Sequence, residues 1–355
     1  MKKMFIAVLA VVACCFARSS TPYTGLLKNL SIGTFGIQDY SYYSYCTKID
    51  AGNLPFNVDF ATSFRTSMEQ RVSQKYSTTT FRGSYSNDFS DEVTISEFKN
   101  KIKNDGYNIV FFSGHGYSEP ADFIGSSIVR HNEASMYDGD LKVEDMEFSK
   151  ETYFAFFDAC NFLSFYTDRK GRDIYGYYKK KNNGNITIVK KQEFVSETDV
   201  LKNQDGWEDS QEAKPQNLAY SRFKNAFKNG LHAMFGYSST VPTLTEKDER
   251  GREREFRSLY AKFAEKWVDY KGQGLRIWEA YKYAVWEKIY KEKKEGIEPA
   301  VIFRSGTAIG NDGKNHQFKG YCEFYESIYQ YSMEVNSLSA LALGRKKVVY
   351  GKPAY

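Results

Sequence analysis

Four short runs in this chain are apolar almost from end to end: residues 107–112 (YNIVFF), 152–159 (TYFAFFDA), 231–237 (LHAMFGY) and 300–304 (AVIFR). A strand with one face in water alternates polar and apolar residues. A run without alternation instead needs cover on both faces, as in a parallel sheet between layers of helices. The segments between these runs supply such helices. Phe64, Met68 and Val72 recur every fourth residue in a helix-compatible stretch over 61–76. Thr94-Ile95-Ser96-Glu97 is a capping box, flanked by Val93 and Phe98 at the hydrophobic-staple positions, which predicts a helix running to about Asp105 and stopped by Gly106. A helix is also expected over 217–228, ended by Gly230. Two later ones carry apolar faces at Phe256, Leu259, Tyr260, Phe263 and Trp267, and at Ile277, Tyr281, Ala284 and Val285. Residues 32–39 (IGTFGIQD) are a candidate first strand. The alternation predicts an α/β fold with a mostly parallel sheet and helices on both faces.

No internal repeat and no proline-rich linker interrupts the 355 residues, which contain only 7 Pro, so one main domain is expected over 18–310. Within it, residues 168–215 are rich in Lys, Asn, Gly and Glu and read as a polar surface insertion; residues 311–355 form a C-terminal extension packed on or trailing the domain. With 41% hydrophobic and 26% charged residues the chain can bury a core, which excludes a wholly disordered protein. The net charge of +5 is a weak excess with no long block of one sign, which argues against a nucleic-acid partner. Aromatic residues make up 17%, enough for a large core and a tyrosine-rich exterior.

Lys2-Lys3 followed by an apolar run over 4–13 reads as a leader, too short to span a bilayer permanently. Two processing routes fit. Cleavage after Ala17 would release residues 1–17 as a signal peptide, and the Val11-Val12-Ala13-Cys14 segment loosely resembles a lipobox that would leave a lipid on Cys14. Either route implies export, with membrane contact only through that lipid. Of the five cysteines, cleavage after Ala17 leaves Cys46, Cys160 and Cys322. In an oxidising compartment Cys46 and Cys322 are then candidates for a disulfide, with Cys160 a free thiol. No paired-cysteine or Cys/His cluster appears, so no structural metal is expected.

Two of the apolar runs end in chemistry. One leads into Ser113-Gly114-His115-Gly116 and the other into Asp158-Ala159-Cys160. Open α/β sheets bind ligands beyond the carboxyl ends of their strands, so neighbouring parallel strands would bring a thiol and an imidazole to one crevice. Those are a nucleophile and its general base. Gly116, lacking a Cβ, lets a substrate approach the backbone, whose N–H could join that of Cys160 in holding an oxyanion. Taken singly, Cys160 reads as a small buried hydrophobe and His115 as a turn residue between glycines. Their joint position at two strand ends is what favours a catalytic pair. Asp158 has two readings, a loop or helix-end hydrogen bond or a substrate contact. His131, His232 and His316 stand in less specific contexts, His232 as a core histidine.

A strand ending in S-G-H-G followed by one ending in D-A-C resembles the His/Cys dyad of the caspase-like cysteine peptidases of clan CD, which include metacaspases, clostripain and gingipains. The D-A-C motif with the later G-L-H-A-M-F-G strand is also similar to a group of secreted bacterial proteins. The resemblance covers 107–237 and extends to Arg304. It implies a caspase-like three-layer sandwich, His115 as base, Cys160 as nucleophile, Gly116 with Cys160 as oxyanion donors, and no cofactor. From relatives with an acidic residue two before the cysteine it also implies that Asp158 accompanies preference for Arg or Lys on a protein or peptide substrate. Several members place a glycine shortly after the cysteine; here Asn161-Phe162-Leu163-Ser164 follow, so a different loop is expected. The expected activity is an exported cysteine endopeptidase. The alternative is a catalytically inactive surface binding protein on the same fold. A basic-specific enzyme could also cut its own insertion, where Lys179-Lys180-Lys181 and Lys190-Lys191 lie.

Overall fold

The computed structural model describes residues 30–47, 51–75, 93–124, 127–163, 177–182, 185–190, 223–237, 241, 245–247, 253–255, 258–269, 271–272, 274–285, 287–288, 299–309, 314–323 and 337–342. The leader, both processing points and the expected helical residues 217–222 and Phe256 lie outside these.

Four of the predicted strands form a parallel ladder in the order β1 (Ile32–Gly36), β2 (Ile109–Ser113), β6 (Phe154–Asp158) and β9 (Ala233–Tyr237). Each crossover between them returns the chain to the same end, and the register carries Gly36 opposite Ser113 and Ser113 opposite Asp158. The long β12 (Pro299–Ile309) then runs antiparallel to β9, and on its far edge pairs with both β13 (Asn315–Lys319) and β14 (Ser337–Ala342). Six of the seven strands therefore share one direction. Residues after 311 thus contribute two strands to the main sheet.

Alternate residues of each strand enter two separate cores. Ile109, Phe111, Phe154, Phe156 and Phe235 face one layer, built by the helices α2 (Asn57–Lys75), α4 (Ser258–Trp267) and α5 (Ile277–Val285). Val110, Phe112, Ala155, Phe157 and Met234 face the other, with Tyr43 of α1 (Ser41–Thr47) and Phe98 and Ile102 of α3 (Ile95–Asn104). Phe64 sits at the centre of the first core, its ring stacked on Phe111 at 4.5 Å and packed near Phe156 (5.1 Å) and Tyr260 (5.6 Å). Its neighbours at four-residue spacing, Met68 and Val72, are also fully buried. At α3, the Thr94 hydroxyl accepts the Glu97 N–H at 3.2 Å, as the capping box requires. The Glu97 carboxylate turns to Lys101, and the Ile95 N–H is taken by Asp138. Gly106, at φ 67°, ends the helix in the left-handed conformation that glycine adopts without strain.

Other elements depart from expectation. The stretch at 223–230 is a series of turns in which the Phe227 N–H donates to the Phe223 carbonyl. It is pinned beneath the sheet by buried Arg304, whose guanidinium donates to the Phe227 and Asn229 carbonyls. Directly after His115 the chain builds a three-stranded antiparallel sheet, β3 (Gly116–Ile124), β4 (Ser127–Met136) and β5 (Gly139–Lys142). The polar insertion contains a hairpin, β7 (Tyr177–Asn182) with β8 (Asn185–Lys190), so Lys179, Lys180, Lys181 and Lys190 lie on backbone-paired strands. Proteolysis favours unpaired loops, so this pairing disfavours cutting at those lysines. A smaller hairpin pairs β10 (Thr245–Lys247) with β11 (Glu253–Glu255), setting Glu246 opposite Arg254. His131 lies in β4 and His316 in β13. The expected Cys46–Cys322 disulfide is corrected: all three described cysteines are free. Cys46 is exposed on α1, against the second core, whereas Cys322 packs on the first, so the sheet lies between them. No helix among the described residues is long and apolar enough to cross a membrane.

The packing predicts a hierarchy measurable by urea unfolding. Phe64→Ala is expected to cost about 3–5 kcal/mol through the cavity it leaves. Thr94→Ala is expected to cost about 1 kcal/mol through the lost cap.

Candidate active site

The carboxyl ends of β1, β2, β6 and β9 lie along one edge of the sheet, and the segments that follow them meet there. After β2, the Gly114 N–H donates to the Asp158 carbonyl at 3.2 Å, which ties the β2 exit to the β6 exit. Gly116 packs so closely on the next turn that a Cβ there would lie 2.6 Å from the Ala159 Cβ and 2.9 Å from the Cys160 carbonyl oxygen. Only glycine fits, and the backbones bearing His115 and Cys160 are in direct contact as a result. Asn161 takes φ 53°, so asparagine supplies the left-handed residue that turns the chain after Cys160. Asparagine tolerates that region better than other side-chain-bearing residues.

The imidazole of His115 is held from below by the segment that follows β1. Its Nε2 lies 2.7 Å from the Gly52 carbonyl oxygen. A carbonyl can only accept, so Nε2 must carry the hydrogen, and in the neutral ring Nδ1 keeps the lone pair. Tyr40, fully buried, packs its ring edge-to-face on the imidazole at 4.5 Å between centroids. The thiol of Cys160 is engaged elsewhere: the Val241 N–H donates to Sγ at 3.2 Å, and the thiol donates back to the Val241 carbonyl at 3.6 Å. Among the described residues no hydrogen bond joins the Cys160 sulfur to the His115 ring. Burial pushes the Cys160 thiol up, an effect that the Val241 N–H opposes and the Asp158 charge adds to. In this state the thiol is protonated at neutral pH.

Asp158 occupies the floor on the side of the first core. Its carboxylate accepts from the Ser113 hydroxyl at 3.2 Å through Oδ2, while Oδ1 has no hydrogen-bond partner. Burial raises its pKa to about 6, against the lowering effects of the Tyr260 and Ser113 hydroxyls. His232 lies at the opposite end of β9, buried, with Nδ1 2.8 Å from Glu323 Oε2 and the Tyr153 ring edge-on at 4.9 Å. It is a core histidine. Among the described residues no group of His, Cys, Asp or Glu is arranged to hold a metal ion.

Thus the parallel ladder brings together the strand ends that carry His115, Gly116, Asp158 and Cys160. Tyr40, Gly52 and Val241 escaped the sequence reading, and Ser113 and Tyr260, legible there as a strand-end residue and a helix-face residue, gave no sign of their contact with Asp158. The available signal was topological: residues following β1 and β9 emerge at the same crevice as those following β2 and β6. No protein-family model matches the chain, and neither does any curated protein.

Asp158 makes a pH prediction whose sign follows from its raised pKa. Between the ordinary aspartate value of 3.8 and about 6 the folded protein binds a proton that the unfolded chain has released, so stability falls as pH rises across that window. Relative to Asp158→Asn, the wild type should lose about 2 kcal/mol between pH 4 and 6, and roughly 0.4 kcal/mol more above it. Chemical denaturation at a series of pH values measures the difference; parallel curves would mean the carboxyl is ionised throughout.

Proposed function

We propose that this chain is an exported cysteine endopeptidase on a caspase-like three-layer sandwich, acting by acyl transfer through Cys160. The observation that carries the reading is the contact of Gly116 with the Ala159–Cys160 backbone, which joins the histidine-bearing and cysteine-bearing strand ends at one crevice. In the proposed cycle the thiol leaves Val241 and passes its proton to Nδ1 of His115 as sulfur attacks the peptide carbonyl carbon. The amide N–H groups of Gly116 and Cys160 hold the resulting oxyanion. His115 then gives the proton to the departing amine as the C–N bond breaks, leaving a thioester. A water molecule, deprotonated by His115, hydrolyses the thioester and restores the thiol. Asp158 would meet a substrate Arg or Lys, whose positive charge would offset the burial that now keeps its carboxyl protonated well above the usual range.

Specific observations favour the second reading, a binding protein without catalysis. The Cys160 thiol is raised, not lowered, and Tyr42 and Tyr45 stand 44% and 71% exposed on α1, Tyr42 stacked on Tyr137 at 4.6 Å.

Iodoacetamide separates the two. Under the peptidase reading, Cys160 is alkylated rapidly at neutral pH, more slowly on acidification, and His115→Ala removes that reactivity along with about 10²–10⁴-fold of peptide turnover. His131→Ala keeps both. A Cys160 that stays inert, or reacts equally in His115→Ala, supports the binding protein. Asp158→Asn should depress cleavage of Arg and Lys reporter peptides by about ten-fold or more, the scale of a lost charged hydrogen bond; unchanged turnover removes Asp158 from the substrate pocket.

A further inference from the structure

We propose that Tyr40 is a positioning residue for His115, and that with Asn53 it forms a clamp deciding which ring nitrogen of His115 carries the proton. The inference rests on the reading of His115 as the general base.

The buried phenol of Tyr40 is wired to both ends of the histidine's backbone. Its oxygen accepts the His115 N–H at 2.7 Å and donates to the Ser135 carbonyl at 3.3 Å. The Ser135 N–H in turn donates to the His115 carbonyl at 3.0 Å. The cycle Tyr40–His115–Ser135 is therefore closed, and it fixes the main chain from which the imidazole projects. The preceding residue is shaped to admit the phenol: a Cβ on Gly114 would lie 2.7 Å from the Tyr40 oxygen.

Tyr40 is also tied to the group that holds the ring. Its own N–H donates to Asn53 Oδ1 at 2.9 Å, and the Leu54 N–H donates to the Gln38 carbonyl at 2.8 Å. These two bonds fold the turn containing Gly52 back onto the Tyr40 segment, with the Gly52 carbonyl 2.7 Å from Nε2. One short segment thus grips His115 twice, at the backbone through the phenol and at Nε2 through Gly52. With Nε2 bound as a donor, Nδ1 is left as the proton acceptor. If either grip loosens, the ring can leave the carbonyl and populate the other tautomer, whose Nδ1 is already protonated and cannot act as base. Burial keeps the phenol itself in its neutral, donating form, since ionisation is pushed far above the usual tyrosine value.

A purely structural tyrosine would need only its ring, so Tyr40→Phe isolates the oxygen. Asn53, exposed at the surface, provides a second variant that does not disturb the core: Asn53→Ala removes the acceptor, and Asn53→Asp retains one. The direct readout is the nitrogen NMR spectrum of histidine-labelled protein at alkaline pH, with the His115 signals assigned by their loss in His115→Ala. In the wild type a single tautomer with hydrogen on Nε2 is expected. Tyr40→Phe and Asn53→Ala should each shift the ring signals toward a mixture and lower kcat about ten-fold, with KM changed less, while Asn53→Asp restores both. Unchanged ring signals in both variants overturn the clamp. So does a loss of kcat in Tyr40→Phe that accompanies a fall in Tm while the ring signals stay those of the wild type. If Cys160 alkylation in the wild type is independent of His115, the peptidase reading fails; the ring spectrum of the two variants still decides whether the clamp sets the tautomer.

Discussion

The in-register parallel ladder of β1, β2, β6 and β9 is the constraint on which everything else depends. Parallel pairing obliges the chain to cross over between strands, so the crossovers supply helices for both faces and leave strands that must be apolar on each side. It also sends every carboxyl end the same way. Residues distant in sequence, from Tyr40 to Val241, meet for no reason other than that each follows a strand of this ladder. The two cores then pack the sheet on both faces. Phe64 and its aromatic neighbours lock one face, and the Phe157–Phe162 stack at 4.1 Å anchors the turn just beyond Cys160 to the other.

Against that apolar background the polar groups of the crevice are costly, and they are placed where a core would not choose them. A carboxylate at Asp158, in line with Ser113 and covered by Tyr260, is only half satisfied. Buried unpaired oxygens of this kind cost free energy and are rare without a role. The thiol of Cys160 and the ring of His115 are each occupied by a backbone carbonyl, one from Val241 and one from Gly52. Both carbonyls belong to loops rather than to the sheet, and loops are the parts of such a fold that move most cheaply.

The legible part of this architecture was the part written in periodicity. Continuous apolar runs named the central strands, and the four-residue spacing of Phe64, Met68 and Val72 named α2. Thr94 and Gly106 marked the limits of α3, because capping is a local interaction between residues close in sequence. His115, Gly116, Asp158 and Cys160 could be named from their positions at strand ends. What stayed hidden depends on long-range geometry. Tyr40 lies in a run of tyrosines and serines that carries no pattern, and its role arises only from contacts with residues 75 and 95 positions away. Gly52 and Val241 act through the backbone, which has no sequence signature. The β7–β8 hairpin was masked by its charge, since lysine-rich strands read as solvated loop. The two edge strands β13 and β14 pair with β12 through main-chain bonds that composition does not report.

The reversal of β12 has a metric consequence. Because β12 enters the sheet where β9 leaves it, pairing Pro299 with Tyr237, the unbroken row of carboxyl ends stops at β9. Four strands contain three gaps of about 4.8 Å, so the floor from β1 to β9 measures roughly 14 Å across. An extended polypeptide advances about 3.3 Å per residue, and about four residues laid across the strand tips would cover that distance. The sheet's own change of direction is therefore a ruler, built from backbone spacing alone, for whatever lies over Cys160.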